Sequence, residues 1–104
     1  MSGMIQIRET ASGEVEIIAT GHLAREDMDD LSARLAEALV RAHGAIALDF
    51  QGLKSLSSSA IGKLLHFKAQ CDQRGIRLTI RRCSPQMTQL LKMIKFDTLI
   101  QMEA

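Results

Sequence analysis

Apolar side chains recur along this chain with two different periods, and the places where the period changes mark out its elements. Met4 to Arg8 reads as a short strand. After a turn at Ala11-Ser12-Gly13, the run Glu14-Val15-Glu16-Ile17-Ile18-Ala19-Thr20 reads as a second, close enough to pair with the first as a hairpin. From about Asp27 the spacing changes: Met28, Leu31, Leu35, Ala38, Leu39 and Ala42 recur on one helical face, with Arg34, Glu37 and Arg41 elsewhere on the cylinder. Glu26, Asp27, Asp29 and Asp30 crowd the start of this helix and Arg41 and His43 its end, as the helix dipole favours. Gly44 supplies a left-handed stop.

Ala45 to Phe50 is a nearly continuous apolar run, the pattern of a central strand covered on both faces, with Gln51 to Ser57 as the connection leading out of it. A second helix is expected from the serines to Arg74, with Ala60, Leu64, Phe67 and Cys71 on one stripe and Gly75 as its stop. Ile76 to Arg81 alternates like a half-buried strand. Ser84-Pro85 offers an N-cap followed by proline at the first helical position, and Met87, Leu90, Leu91 and Ile94 continue at helical spacing. Thr98 to Met102 is expected to close the chain as a short edge strand. The order β-β-α-β-α-β-α-β predicts a single α/β domain: a mixed sheet of four to five strands with helices packed on it, the later strands joined by right-handed crossovers.

Composition narrows what such a domain can do. With 104 residues, 46% of them hydrophobic, the chain holds one core. A net charge of +1 argues against a nucleic-acid partner, and three phenylalanines as the only aromatics leave little for stacking bases. The basic stretch Arg74, Arg77, Arg81 and Arg82 reads as a solvated strand face. The N-terminus has no basic region followed by a long apolar run, and no segment is long enough to insert in a bilayer, so a cytoplasmic protein is expected. Cys71 and Cys83 are expected to be reduced thiols. Neither they nor His22, His43 and His66 have metal-ligand spacing, and no cofactor is implied. The chain has no G-x-S-x-G elbow, and the histidines are not placed by the sequence as a catalytic base, so no enzyme is expected.

The informative feature is a strand, a polar connection and then Ser57-Ser58-Ser59-Ala60-Ile61-Gly62 opening a helix. Three serines there are good N-caps in any protein. The unpaired N–H groups and positive dipole end also favour an anion, so the fold would tolerate a phosphate on such a serine. In these residues the chain resembles the STAS family, whose bacterial members include anti-sigma factor antagonists. Asp49-Phe50 with Leu53 and Leu56 is similar to the family's lead-in, and Ser57 to Gly62 lies over its D-S-[ST]-G-[LI]-G signature, with Ser57 in place of Asp and Ala60 in place of Gly. Gly21-His22-Leu23 resembles the family's turn after the second strand, and Ser84-Pro85 through Ile100 its closing helix and strand.

The resemblance implies that Ser58, with Ser57 and Ser59 as alternatives, is phosphorylated by an anti-sigma factor serine kinase. It further implies capture of that kinase in the unphosphorylated state, which frees a sigma factor, and resetting by a serine phosphatase. Contact residues expected on this basis are Gly21, His22, Leu23, Lys54, Ser55, Ser57, Ser58, Ser59, Lys63 and His66. The alternative is a STAS subunit of a lipid-transport ABC complex or a stressosome-like scaffold, docking on a transporter ATPase or on other STAS proteins without phosphoswitching.

Overall fold

In the computed structural model of the chain, which describes residues 3–103, alternation in the strands sorts side chains between two unlike sheet faces. The elements are β1 (Met4–Glu9), β2 (Val15–Leu23), α1 (Met28–Arg41), β3 (Ala45–Leu56), α2 (Ser58–Gln73), β4 (Arg77–Arg81), α3 (Pro85–Met93) and β5 (Gln101–Glu103). The five strands form one sheet in chain order, β1 antiparallel to β2 and every later pair parallel. This is the expected mixed α/β sheet. Gly75 takes the positive φ that ends α2, whereas α1 ends at Ala42 in an extended conformation and Gly44, at φ 90°, instead turns the chain into β3; Ser84 caps α3 by accepting from the Met87 N–H at 3.2 Å.

The first face of the sheet is the core. Ile5, Ile17, Ile46, Leu48, Phe50, Leu78 and Ile80 meet Leu31 and Leu35 of α1, Leu64 and Phe67 of α2, and Leu91 of α3 in one cluster. Each such side chain, fully buried, contributes about 1.5–3 kcal/mol of transfer free energy, so this face decides where the helices lie. α1 and α2 run side by side over it.

The second face corrects the expectation that β3 is covered on both sides. Every buried position of the three helices belongs to the core on the first face. On the second, Glu16, Asp49 and Thr79 are buried beneath ion pairs, while Ala47, though buried, stands outside the apolar cluster. Arg8 meets Glu16 at 2.9 Å, Arg82 meets Asp49 at 3.3 Å, and Arg81 bonds Glu14 at 2.6 Å and Glu103 at 3.0 Å. The hydrogen bonds that its guanidinium donates to Glu14, then to Glu103, hold Arg81 in its charged form even more firmly than usual. The apolar run through Ala45–Leu48 therefore reflects one true core side and one small residue enclosed by its polar neighbours.

Three boundaries also differ from the sequence pattern. β3 does not stop at Phe50 but continues to Leu56, pairing Gly52 with Thr20, Leu53 with Gly21, Ser55 with His22 and Leu56 with Leu23 across two register shifts, each an extra residue in β3. Lys95 takes a left-handed conformation at φ 64°, and Phe96–Thr98 forms a 3-10 turn, so the last strand is Gln101–Glu103 rather than a strand from Thr98. Asp27 does more than complement a dipole: buried in a 3-10 turn, it accepts from the Ala24 N–H at 2.9 Å and fixes the entry into α1.

The close approach of β2 and β3 makes a sharp stability prediction. A Cβ on Gly52 would sit 2.8 Å from Thr20 Cγ2, so Gly52→Ala is expected to cost about 1–3 kcal/mol in urea unfolding, with part of the loss recovered in a Gly52→Ala/Thr20→Ser double variant that lacks that methyl. A second prediction concerns pH. Burial, then the Asp72 carboxylate, pushes the Cys71 thiol from about 9 up to about 11. Between those values the folded chain binds a proton that the unfolded chain has lost, so stability falls as pH rises from 9 to 11. Denaturant midpoints should drop more steeply there for the native sequence than for Cys71→Ala.

Candidate functional site

The extension of β3 beyond Phe50 builds the site. Gly21, at φ 76°, lies between the two register shifts and lets the last residues of β2 stay paired with β3. His22 and Ser55 come opposite each other there, with Nδ1 2.7 Å from the Ser55 Oγ. One residue after β3 ends, the Ser57 N–H donates to the Leu23 carbonyl at 2.9 Å. That bond ties the start of α2 to the end of β2.

Ser57 is then fully engaged as the N-cap of α2. At φ −73° and ψ 162°, its Oγ accepts from the Ala60 N–H at 3.1 Å and its carbonyl accepts from the Ile61 N–H at 3.0 Å. Ser58, the first residue of the helix, is exposed, as is Ser59. Ala60 turns inward and is completely buried. The three serines thus have separate positions: one holds the backbone, one faces outward at the helix start, and Ser59 borders a groove between α1 and α2.

The outer side of α2 carries no charge at Ser58, Gly62, Leu65 and Ala69, all exposed. Such a face on a surface helix is unusual. Lys63 and His66 follow Ser59 along the groove side of the helix. Leu23 is buried and reaches the site only through its carbonyl, while Lys54 lies on the opposite flank, beside a hollow it shares with Ser84 and Gln86. Gly21, His22, Ser55 and the serines are therefore brought together by strand pairing, Lys63 and His66 extend the surface along α2, and Lys54 stands apart. Sequence reasoning missed Arg25, from the 3-10 turn before α1, and Ser32 and Ala36 of α1, all of which line the groove. Their signal was the small residues at Ser32 and Ala36 on the same helical stripe as Met28 and Leu35.

His22 reaches Ser55, and the only side-chain hydrogen bond described for either is the one between them. A serine, a histidine and an orienting carboxylate are thus not assembled here. Among the described residues no group of His, Cys, Asp and Glu is placed to hold a metal ion, and no helix is long and apolar enough to cross a membrane. Both cysteines are free. What remains is an exposed hydroxyl at the positive end of a long helix, on the rim of an uncharged helical surface, an arrangement suited to docking another molecule and to accepting an anionic group.

The comparisons agree with this architecture. The family model described as "Mlab, STAS domain" matches residues 7–101. Among solved structures, the anti-sigma factor antagonist SpoIIAA in its unphosphorylated form is 18% identical with a TM-score of 0.79, over 97% of this chain and 89% of that one. The Bacillus cell fate determinant SpoIIAA in the phosphorylated form is 19% identical with a TM-score of 0.74, over 97% and 92%. An anti-sigma factor antagonist from Mycobacterium paratuberculosis is 13% identical with a TM-score of 0.79, over 97% and 85%. At these identities the likeness establishes the fold. No protein of curated function matches the chain.

The separate positions of the serines can be read by stability alone. Ser57→Ala removes the cap and is expected to lower unfolding stability by about 1 kcal/mol; Ser58→Ala, on the solvent side, should shift it by no more than about 0.5 kcal/mol. Equal losses in urea denaturation would mean that the cap is not held by Ser57.

Proposed function

The chain belongs to the STAS domain family, and from that premise we propose that it is an anti-sigma factor antagonist: a non-catalytic protein that captures an anti-sigma serine kinase at the outer end of α2 and releases it when Ser58 is phosphorylated. Capture frees the sigma factor that the kinase holds. The kinase supplies the phosphate from its own ATP, a serine phosphatase removes it, and all of this takes place in the cytoplasm.

One observation carries the choice of Ser58: Ser57 is committed to the helix cap, whereas Ser58 is exposed on the first turn. A phosphate added to Ser58 meets the positive end of the α2 dipole and therefore leaves the fold intact. It also brings a charge of about −1.5 to −2 and a hydration shell onto the rim of the uncharged surface formed by Gly62, Leu65 and Ala69, which opposes close docking. The same modification is thus mild for the domain and severe for the complex, as a switch requires. Two of the structurally similar proteins are the unphosphorylated and phosphorylated forms of an anti-sigma factor antagonist, which supports a fold that persists through such a change.

A second reading is favoured by Ser57 and Ala60. At the cap, Ser57 supplies the hydrogen bond but not the charge of the aspartate usual in the family, and the buried Ala60 methyl replaces its glycine. Both changes preserve the docking surface while removing features close to the acceptor. A STAS subunit of a lipid-transport ABC complex or of a stressosome-like scaffold, docking on a transporter ATPase or on other STAS proteins, has use for the first without the second.

Affinity for the isolated kinase separates these readings. Ser58→Asp is expected to weaken capture by at least about tenfold, equivalent to about 1.4 kcal/mol, with Ser58→Ala retaining native affinity. Native affinity in Ser58→Asp, together with co-purification of a transporter ATPase or other STAS proteins, would overturn the phosphoswitch in favour of constitutive docking.

A further inference from the structure

The groove between α1 and α2 has a chemical character of its own. It is an open groove of about 770 Å³, its floor formed where the core side chains Met28, Leu35 and Leu39, each less than 10% exposed, come to the surface and its rim by the exposed Ala36 and Gly62. Its walls are low because Ser32 and Ala36 on α1 and Gly62 on α2 are small. A Cβ built on Gly62 meets nothing within 4 Å, so the space above this residue is open. The charged and titratable lining consists of Arg25, Lys63 and His66, with no carboxylate. Among the described residues, Arg25 and Lys63 enter no ion pair, as is also true of Lys54, Arg74, Arg77, Lys92 and Lys95, but these two stand together on the lining of one groove that holds no carboxylate.

We infer that this groove receives an amphipathic helix of the partner, its apolar face laid against Met28, Leu35 and Leu39 and an acidic edge set beside Arg25, Lys63 and His66. The inference rests on the reading of α2 as a docking surface and names the chemistry of what docks there. A helix fits because two neighbouring helices with small residues between them leave a channel into which the side-chain ridge of a third packs. An extended strand would find no unpaired backbone edge, since the N–H and C=O groups of the walls are consumed within the helices. The acidic edge follows from complementarity with cations that lack partners within the domain.

A second copy of this chain does not meet the requirement. Its most acidic helix is α1, where Asp30 and Glu37 are already paired with Arg34 and Arg41. Asp29 lies on the outer side of the same helix, beyond the groove lining. The occupant is therefore a different protein that presents a helix with carboxylates along one border of an apolar stripe.

The test uses a displayed library of helical peptides about 15 residues long, long enough to form several turns, randomised on one face and selected against the full chain. Enriched peptides are expected to carry Asp or Glu along one edge of an apolar stripe. Their binding should weaken about tenfold or more in Gly62→Leu, which fills the channel, with unfolding midpoints recorded to show that the domain is intact. The groove-edge variant Lys63→Glu should weaken the acidic peptides by a similar factor and favour counterparts in which lysine replaces the acidic residues. Lys92→Glu, an equal charge change on the exposed side of α3 outside the groove lining, should change peptide binding less than about threefold. Enrichment of basic or uncharged peptides, no enrichment at all, or binding indifferent to both Gly62→Leu and Lys63→Glu would overturn the inference. Such a result with kinase release by Ser58→Asp intact would remove the groove alone. Acidic peptides that obey both groove variants while the kinase ignores Ser58→Asp would keep the groove and remove the switch.

Discussion

The hydrogen bond from the Ser57 N–H to the Leu23 carbonyl is the constraint on which the functional end of the molecule depends. It forms only because β3 remains paired with β2 as far as Leu56, beyond the last continuous apolar residue of the strand. With Ser57 anchored in an extended conformation, its hydroxyl can turn back onto the Ala60 N–H and start the helix. Helical geometry then dictates the rest. Ala60, Leu64, Phe67 and Cys71 face the core, Ser59, Lys63 and His66 border α1, and Ser58 and Leu65 face outward, with the exposed Gly62 on the rim between the groove and the outer side. Had β3 ended at Phe50, the serines would stand on a loop and their separation into cap, exposed first-turn hydroxyl and groove edge would be lost.

The one-sided sheet gives this end of the protein its rigidity. All three helices compete for a single apolar face, so α1 and α2 are held against each other as well as against the strands. The opposite face satisfies its buried carboxylates with arginines drawn from β1, β4 and the turn after β4. Breaking one of those pairs would leave a buried charge, so that side resists rearrangement. The proposed docking surfaces accordingly lie on the helical side and its edge, where side chains are uncharged, small or unpaired.

Much of the fold was legible because its signals are local. The stripe Met28, Leu31, Leu35 and Ala38, the glycine at 75, and Ser84-Pro85 each state their structure within a few residues. The serine cap was legible for the same reason. The last stretch of β3 was not, since Gln51, Gly52, Lys54 and Ser55 have the composition of a loop and are strand only because β2 lies beside them. Ala47 misled in the other direction: its apolarity suggested a helix above it, whereas the pairs made by Arg8, Arg81 and Arg82 close that face. The groove was half legible. Lys63 and His66 were expected at the surface, but their approach to Arg25, Ser32 and Ala36 is a product of helix packing.

Phosphate location is the measurement that tests the central claim most directly. The chain would be incubated with its anti-sigma kinase and ATP, and the modified residue mapped by tandem mass spectrometry. The account predicts a single phosphate on Ser58, with Ser57 unmodified because its hydroxyl is held in the cap. Phosphate on Ser57, or no phosphate on any of the three serines under conditions in which the kinase binds the chain, would contradict it.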